Sequence, residues 1–311
     1  MYRFFVEQSD INTDNGVCLI RGTDVNHIVN VLRMRQGERI LLSTGLKEDP
    51  VEYLCEIDEI RSDEVRARIL DLQKNARELP LDLYLFQALP KGDRFETVIE
   101  KSVELGVHEI IPVMSARCIV KLDEKRAEKK TARWNALSLS AAKQSKRSFV
   151  PVVENPVSWQ GALDAARDMD LILVPYESAQ GMDHTRDVIT GVKSRKLRTE
   201  GSDKADPEQT AQASKEQPDT VRKCESEGRS SFDYGIGNRP DRIRYKQKYT
   251  DERRAARIGI FIGPEGGFED REIRQLQEMG AEVITLGHRI LRTDTAGICV
   301  LSMLMLYLEE D

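Results

Sequence analysis

From residue 81 onward, short apolar segments alternate with segments in which apolar residues recur every three to four positions. The apolar segments lie near 81–88, 109–114, 171–175, 258–262 and 282–286, and the periodic segments near 92–105, 123–145, 160–168, 269–279 and 295–309. A period of 3.6 is typical of amphipathic helices, and short continuous apolar runs are typical of buried strands. Strands that alternate with helices predict an α/β fold with a mostly parallel sheet.

The first 75 residues follow a different pattern. Alternating strands are predicted at 39–43, 53–57 and 64–69, with turn residues between them. One helix is predicted from about Asp24 to Gly37, because its apolar residues would share one face. We therefore expect a small β-barrel with one helix over residues 1–75 and an α/β domain over residues 76–311.

The α/β pattern stops between about 191 and 256. This stretch is rich in Ser, Glu, Lys, Gln and Asp and is almost free of large apolar residues. Such a segment cannot bury enough surface to offset its ordering entropy, so we expect an insertion that is mostly disordered. Its last part, 238–254, carries seven Lys or Arg and two tyrosines, which is compatible with a nucleic-acid arm or with a solvated linker.

Composition narrows the class of protein. The 311 residues have a net charge of −6, so any nucleic-acid site must be a local patch. The five cysteines contain no C-x-x-C and the four histidines no H-E-x-x-H, so we expect no disulfide framework and no metal site. The N-terminus lacks a secretory signal, and the apolar run at 298–308 is too short for a bilayer. We expect a cytoplasmic protein without a membrane segment.

A glycine-rich turn, "GPEGG", follows the fourth apolar strand and leads into a helix. Gly266 and Gly267 let the backbone approach a ligand closely. The turn is neither a Walker loop nor a G-x-G-x-x-G dinucleotide turn. Because Glu265, Glu269 and Asp270 would repel a phosphate, a neutral or cationic ligand is indicated. A tight strand-to-helix turn without a ligand is the alternative.

A second strand-loop-helix follows at once, with the loop "LGHRILRTDT" at 286–295. It places apolar Ile290 and Leu291 beside charged residues, an arrangement that suits an adenine-binding wall better than a solvated loop. The last helix is apolar nearly all round, which predicts a position in the core or at a subunit interface.

The segment 125–147 holds eight Lys or Arg against one Glu. Such an imbalance indicates either contact with a phosphate backbone or a solvated face. Near its end, Gln144 can donate and accept hydrogen bonds and Arg147 can bind a phosphate with both arms of its guanidinium.

Five stretches together resemble the bacterial 16S ribosomal RNA uridine N3-methyltransferases of the SPOUT superfamily. They are His27–Arg33, Lys101–Gly106, Gln144–Arg147, Gly263–Gly267 and Leu286–Ala296. The resemblance implies a PUA-like β-barrel RNA-binding domain at the N-terminus and a C-terminal parallel-sheet SPOUT domain with a trefoil knot. It also implies a homodimer that binds S-adenosyl-L-methionine (SAM) in the knot loops and acts on the small ribosomal subunit.

By this resemblance, three sets of residues are expected to form the site. The residues expected to bind SAM are Val174, Pro175, Gly263, Glu265, Gly266, Leu286, Gly287, Ile290 and Leu291. RNA contacts are expected from Arg33, Lys91, Arg117, Gln144 and Arg147. Arg292 and Arg289 would stabilise the anionic uracil that forms when N3–H is lost. Asp294 would orient an arginine or act as base, or would instead cap the last helix.

The sequence departs from the family pattern at a few positions. Asp294 stands where glutamate is usual, and Lys143 and Ala116 stand where acids are common. The insertion at about 191–256 is absent from typical members. Two alternatives therefore stay open: a SPOUT RNA methyltransferase with another target, such as a ribose 2′-hydroxyl, and a non-catalytic RNA-binding protein of ribosome assembly.

Overall fold

The computed structural model describes residues 1–46, 51–74, 78–120, 122–177, 179, 181–192, 198–199 and 253–309. Met1–Lys196 and Ala255–Asp311 form one compact unit, and Leu197–Arg254 forms a second. The predicted insertion at 191–256, including the candidate arm at 238–254, therefore lies largely outside the described residues.

Six strands form the N-terminal sheet in the described part of the chain. They are β1 Tyr2–Phe5, β2 Ile11–Asn12, β3 Val17–Arg21, β4 Arg39–Ser43, β5 Val51–Ile60 and β6 Glu64–Lys74. Their order is β1-β4-β5-β6-β3-β2, with β1 parallel to β4 and the other neighbours antiparallel. The predicted strands at 39–43, 53–57 and 64–69 are confirmed, and β1, β2 and β3 are additions to them.

The N-terminal sheet encloses a core of its own. Ile20, Ile40, Leu42 and Ile57 are all at most 1% exposed and pack in one cluster. Two register shifts in β5, next to Cys55 and Ile57, bend the strand and help the sheet to curl around this core.

The helix of this domain is shorter than predicted. It comprises α1 Thr23–Asn26 and a π-helical turn, His27–Val31, which Leu32 N–H closes by donating to the carbonyl of His27 at 2.8 Å. Arg33 then adopts a left-handed conformation with φ 52°, which an α-helix cannot contain. The predicted helix to Gly37 is wrong at its C-terminal end for this reason.

The second sheet is parallel and lies between helices. Its strands are β7 Asp82–Ala88, β8 Glu109–Met114, β9 Val152–Val153, β10 Val157–Ser158, β11 Leu171–Pro175, β14 Arg257–Ile262 and β15 Glu282–Ile284. Its helices are α2 Arg94–Glu104, α3 Glu124–Ser145, α4 Trp159–Ala166, α5 Met182–Gly191, α6 Asp270–Glu278 and α7 Thr293–Leu308. In the second unit, β12 Arg198–Thr199 pairs antiparallel with β13 Arg253–Arg254.

The five strands and five helices predicted for the α/β domain are all confirmed, with ends that differ by a few residues. Helix α5 was not expected, because its apolar residues are few and it adjoins the polar insertion. Residues alternate between two cores across β7: Leu83 and Leu85 pack on one face, and Tyr84 and Phe86 on the other. A sheet covered on both faces in this way is typical of parallel α/β folds.

The order of the parallel strands is β10-β8-β7-β14-β11-β15, with β9 also paired to β8. Strand β14 thus lies between β7 and β11, although it follows both in the chain. The carboxyl ends of parallel strands meet at one edge of a sheet, which is where ligands bind in α/β folds. The loops after β14 and β15 are therefore brought together at this edge.

Helix α7 returns from the edge strand β15 and packs on β7 and β14. At Gly297 the helix comes so close to the sheet that a Cβ would lie 3.4 Å from the side-chain oxygen of Gln87. This return path is compatible with the expected trefoil knot, which stays a prediction. In the described part of the chain, no helix is long and apolar enough to cross a bilayer.

Candidate functional site

The first glycine loop, residues 263–269, begins where β14 ends. A Cβ on Gly263 would lie 3.1 Å from the backbone nitrogen of Phe268, so a larger residue would force the loop apart. Gly267 has φ +66° and donates to the carbonyl of Pro264 at 2.9 Å, which closes the turn. These contacts explain the requirement for glycine without any ligand.

The acids of this loop have partners in the protein. Glu269 caps α6 and forms a capping box with Glu272. Asp270 accepts a hydrogen bond from the Tyr176 hydroxyl at 3.3 Å. Burial, together with the carboxylates of Asp270 and Glu177, raises the pKa of Tyr176, so its hydroxyl keeps its proton. The acids therefore help to hold the loop, whatever ligand it binds.

Glu265 braces two loops against each other. Its Oε1 accepts from the backbone nitrogen of Lys91 at 3.0 Å and lies 3.4 Å from the guanidinium of Arg94. The loop after β7 is thereby tied to the loop after β14. This arrangement assigns Glu265 a bracing contact, whereas the resemblance implied a contact with SAM.

The loop after β8 holds the first glycine loop from its other side. Arg117 donates to the carbonyl of Gly266 at 2.7 Å, and the carboxylate of Glu272 accepts from the backbone nitrogen of Ala116 at 2.9 Å. Arg117 remains exposed, so its guanidinium also faces solvent at the site.

The second glycine loop, residues 285–292, follows β15. Thr185 on α5 exchanges two 3.0 Å hydrogen bonds with the backbone of Thr285, and Gly287 turns the chain with φ +101°. Ile290 is 88% exposed although it is apolar. An apolar side chain this exposed at a cavity wall is suited to contact with a ligand or a second subunit.

Two cavities adjoin at the carboxyl edge of the sheet. One of about 480 Å³ is formed mainly by the second glycine loop and the start of α5, and one of about 580 Å³ by the first glycine loop. Both are lined by Pro175, Tyr176, Glu177, Ile290, Leu291 and Ala296. Cavities of roughly 300–1,000 Å³ with a few polar groups are typical of small-molecule sites.

Most of the predicted SAM residues lie at these cavities. Leu286 and Gly287 line the first, and Gly263, Glu265 and Gly266 line the second. Val174 is an exception: it is fully buried in the core beside Phe86, so its side chain is not available to a ligand. The neighbouring Pro175, which lines both cavities, is the residue of that pair that reaches the site.

The cavities are rich in arginine. Arg94, Arg117 and Arg292 line the larger cavity, and Arg289 lines the smaller one. The side chains of Arg289 and Arg292 are exposed and form no hydrogen bond or ion pair with another residue that the structure describes. Both are therefore free to bind an anionic or oxygen-rich group. The sequence had not singled out Arg94 as a site residue.

Asp294 occupies the first turn of α7, where Arg292 is the N-cap. The expectation that Asp294 itself caps the helix is wrong, because it lies two residues inside the helix. Its Oδ1 is buried without a hydrogen-bond partner among the described residues, and it forms no ion pair with either arginine there. A buried carboxylate oxygen without a partner is costly, so it is poised to accept a proton or a hydrogen bond.

A buried series of hydrogen bonds joins the two loops, and the sequence did not reveal it. The Thr293 hydroxyl donates to the carbonyl of Gly263 at 2.6 Å and accepts from the side-chain nitrogen of Gln87 at 2.9 Å. Gln87 is fully buried in β7. The start of α7, which carries Arg292, is thereby anchored to the first glycine loop. A lone Gln within an apolar strand was the available signal.

The five predicted RNA contacts separate into two groups. Arg33, Lys91, Arg117 and Gln144 are exposed. Arg147 is 4% exposed, and its guanidinium donates to Glu78 and to the carbonyls of Val103 and Val107. The prediction that Arg147 binds RNA is wrong, because its donors are used inside the protein.

Two models of known protein families match the chain. A family model described as an RNA methyltransferase domain matches residues 77–198 and 232–305. The chain belongs to the RNA methyltransferase family. A second model, described as an RNA methyltransferase PUA domain, matches residues 20–70. Residues 199–231, inside the predicted insertion, fall between the two parts of the first match.

Individual proteins agree with this assignment. The chain is 31% identical over 303 residues to "Ribosomal RNA small subunit methyltransferase E" of Bacillus subtilis (strain 168), covering 97% of this chain and 95% of that protein. It is 27% identical to the protein of the same name from Mesomycoplasma hyopneumoniae (strain 232), and the match covers 97% of this chain and 98% of that protein. The structure of the protein of that name from Neisseria gonorrhoeae, bound to S-adenosyl methionine, is 27% identical to this chain. Its TM-score is 0.63, and the match covers 98% of this chain and 97% of the Neisseria chain.

These findings confirm the predicted class of fold: a parallel α/β methyltransferase domain with a PUA-like N-terminal domain. Among the described residues, no group of three or more His, Cys, Asp or Glu is placed to hold a metal ion.

Proposed function

We propose that this chain is a SAM-dependent methyltransferase that methylates N3 of a uridine in the 16S ribosomal RNA of the small subunit. The observation that carries the proposal is the pair of glycine loops that line two cavities with a shared wall at the carboxyl edge of a parallel sheet. The names of the Bacillus and Mesomycoplasma relatives support the RNA substrate, and the SAM bound to the Neisseria protein supports the cofactor.

The residues at the cavities fit SAM. Apolar Ile290 and Leu291 offer a wall to adenine, and the glycine loops expose backbone groups that can hydrogen-bond to it. We propose that the SAM-binding residues are Pro175, Gly263, Gly266, Leu286, Gly287, Ile290 and Leu291, with Glu265 acting as a brace. When bound, SAM supplies a methyl group on a cationic sulfonium.

The protein's own side chains would act on the uridine. Methylation at N3 requires loss of the N3 proton, which leaves negative charge on the base oxygens. Arg292 and Arg289 are placed to stabilise that charge because neither is paired with a described residue. Asp294 stays a candidate base, but its Oδ1 is buried and it lines neither cavity, so we propose that solvent takes the N3 proton.

The RNA would be unstacked and held around the cavity. We propose contacts from Arg33 in the N-terminal domain, from Lys91 in the loop after β7, from Arg117 at the larger cavity and from Gln144 on α3. Each of these side chains is exposed. A substrate in the small ribosomal subunit also supports a cytoplasmic location.

We further propose a homodimer built on α7. This helix exposes Leu306 (74%) and Tyr307 (40%), and Ile290 is exposed at the nearby cavity. An apolar surface of this kind is expected to be covered in solution. Light scattering should give the mass of two chains, and Leu306→Glu should give one. A wild-type mass of one chain at micromolar concentration would contradict the dimer.

SAM binding is the direct test of the pocket. Calorimetry should show binding to the wild type and none to Gly266→Trp, whose side chain would fill the larger cavity. Gly266→Ala is the matched control, because its Cβ would make only an ordinary 3.5 Å contact with Arg117. No binding to the wild type would refute the proposal, as would unchanged binding to Gly266→Trp.

A further inference from the structure

Helix α3 uses its many cations in two different ways along its length. Near its C-terminal end, Lys143 pairs with Asp24 of α1 at 2.9 Å, and just beyond it Arg147 pairs with Glu78 at 2.6 Å. Lys143 and its partner are largely shielded from solvent, and Arg147 is buried. Lys143 thus joins α3 to α1 of the N-terminal domain, and Arg147 is held by Glu78 in the segment before β7, so neither cation is available to a partner.

The N-terminal half of α3 is different. It carries five exposed cations: Lys125, Arg126, Lys129, Lys130 and Arg133. Arg126 and Arg133 contact Asp123 and Glu96, with side chains that are 75% and 66% exposed. The side chains of Lys125 and Lys129 have no hydrogen-bond or ion-pair partner among the described residues. Their charges are therefore not used to stabilise the fold.

The cations are gathered on one face of the helix. At about 100° per residue, the five lie within a sector of roughly 140°, and Glu124 and Glu128 fall outside it. Cations near a helix N-terminus oppose the helix macrodipole, so this arrangement does not help α3 to form. Because these cations do not stabilise the helix that carries them, their gathering on one face is better explained by binding to an anionic partner.

The face is continuous with the cavity region. Lys130 lies over the ring of Trp134 and lines a small cavity of about 160 Å³ together with Gly92 and Asp93. The next residue, Arg94, lines the larger cavity of the candidate active site. The loop at 89–94 thus forms a short connection from the cationic face to the cavity.

We propose that the N-terminal face of α3 binds the phosphate backbone of the RNA that flanks the target nucleotide. The inference rests on the proposed RNA substrate and extends it to a surface outside the cavity. Phosphate contacts position the nucleic acid, whereas the cavity would select the base. Lys125 and Lys129 are the clearest contributors because no neighbouring carboxylate competes for them.

The test is the double variant Lys125→Gln/Lys129→Gln, with Arg167→Gln/Arg186→Gln as the control. The control removes two exposed cations from α5 and the end of α4, far along the chain from α3. Filter binding would be measured from 50 to 300 mM KCl, with small ribosomal subunits from a strain lacking the endogenous methyltransferase and with poly(U). Calorimetry would measure SAM affinity.

The α3 variant should bind both probes roughly ten- to fiftyfold more weakly at 100 mM KCl and should lower the salt slope by about 1.5. SAM affinity and melting temperature should be unchanged, and KM for the subunits should rise without loss of kcat. An α3 variant within twofold of the control would overturn the proposal. If the wild type binds SAM but not the subunits, the proposed substrate is wrong. Binding to poly(U) then tests the α3 surface alone, and an α3 variant within twofold of the control would again overturn the proposal.

Discussion

Replacing Arg147 by methionine distinguishes a structural arginine from an RNA-binding one. Arg147 donates to Glu78 Oε2 at 2.6 and 2.9 Å and to Oε1 at 3.2 Å, and it donates to the carbonyls of Val103 and Val107 at 3.0 and 2.8 Å. Methionine has a similar length and no charge, so Arg147→Met would leave the Glu78 carboxylate mostly buried and without its cation.

Breaking a buried ion pair from one side costs about 3–5 kcal/mol. For a chain of this size each kcal/mol lowers the melting temperature by about 2–4 °C, so a fall of roughly 10 °C is expected. Circular dichroism would measure the melting of Arg147→Met beside Gln144→Ala, an exposed neighbour that should melt as the wild type does. The double variant Arg147→Met/Glu78→Gln should recover part of the loss. An unchanged melting temperature with weaker RNA binding would refute the reasoning and restore Arg147 as an RNA contact.

Three further changes probe the site and the insertion. Thr293→Val removes the hydroxyl that bridges Gly263 and Gln87 and should cost about 1–3 kcal/mol in urea unfolding, whereas Thr293→Ser should cost less than half of this. Equal losses in the two variants would count against the bridge. Glu177→Gln removes a carboxylate that has no ion-pair partner among the described residues and that lies in the shared wall of both cavities. The variant's affinity for SAM, divided by its affinity for neutral S-adenosylhomocysteine, should fall about fivefold. Glu278→Gln is the control, and an unchanged ratio in Glu177→Gln would show that Glu177 does not recognise the charge of SAM. Deletion of residues 195–250 should leave melting and SAM affinity intact, and unfolding of the deleted chain would show that the insertion is structural.

Much of the architecture could be predicted because it depends on local patterns. The alternation of strands with helices predicted the parallel sheet, and the glycines of "GPEGG" and "LGHRILRTDT" predicted where the chain turns at its edge. These features follow from burial periodicity and backbone freedom, which a single sequence displays.

The roles of individual polar residues depend on contacts between distant segments, and the sequence did not reveal them. Glu265 meets a backbone nitrogen 174 positions away, and Arg147 meets a carboxylate 69 positions away. Arg147 resembled a phosphate ligand because it ends a basic helix. Its burial depends on contacts of its guanidinium with Glu78 and with the carbonyls of Val103 and Val107, which are distant in the sequence. The insertion of β14 between β7 and β11 is likewise a property of the whole chain and of no single segment.

Methyl transfer to ribosomal RNA tests the central claim most directly. The protein would be incubated with labelled SAM and small subunits from a strain lacking the endogenous enzyme, and the RNA would be digested to nucleosides. We predict label on N3-methyluridine with the wild type and its loss with Arg292→Ala, which should still fold and bind SAM. Label on a ribose 2′-hydroxyl alone would contradict the N3 target, and the absence of any label would contradict the enzyme.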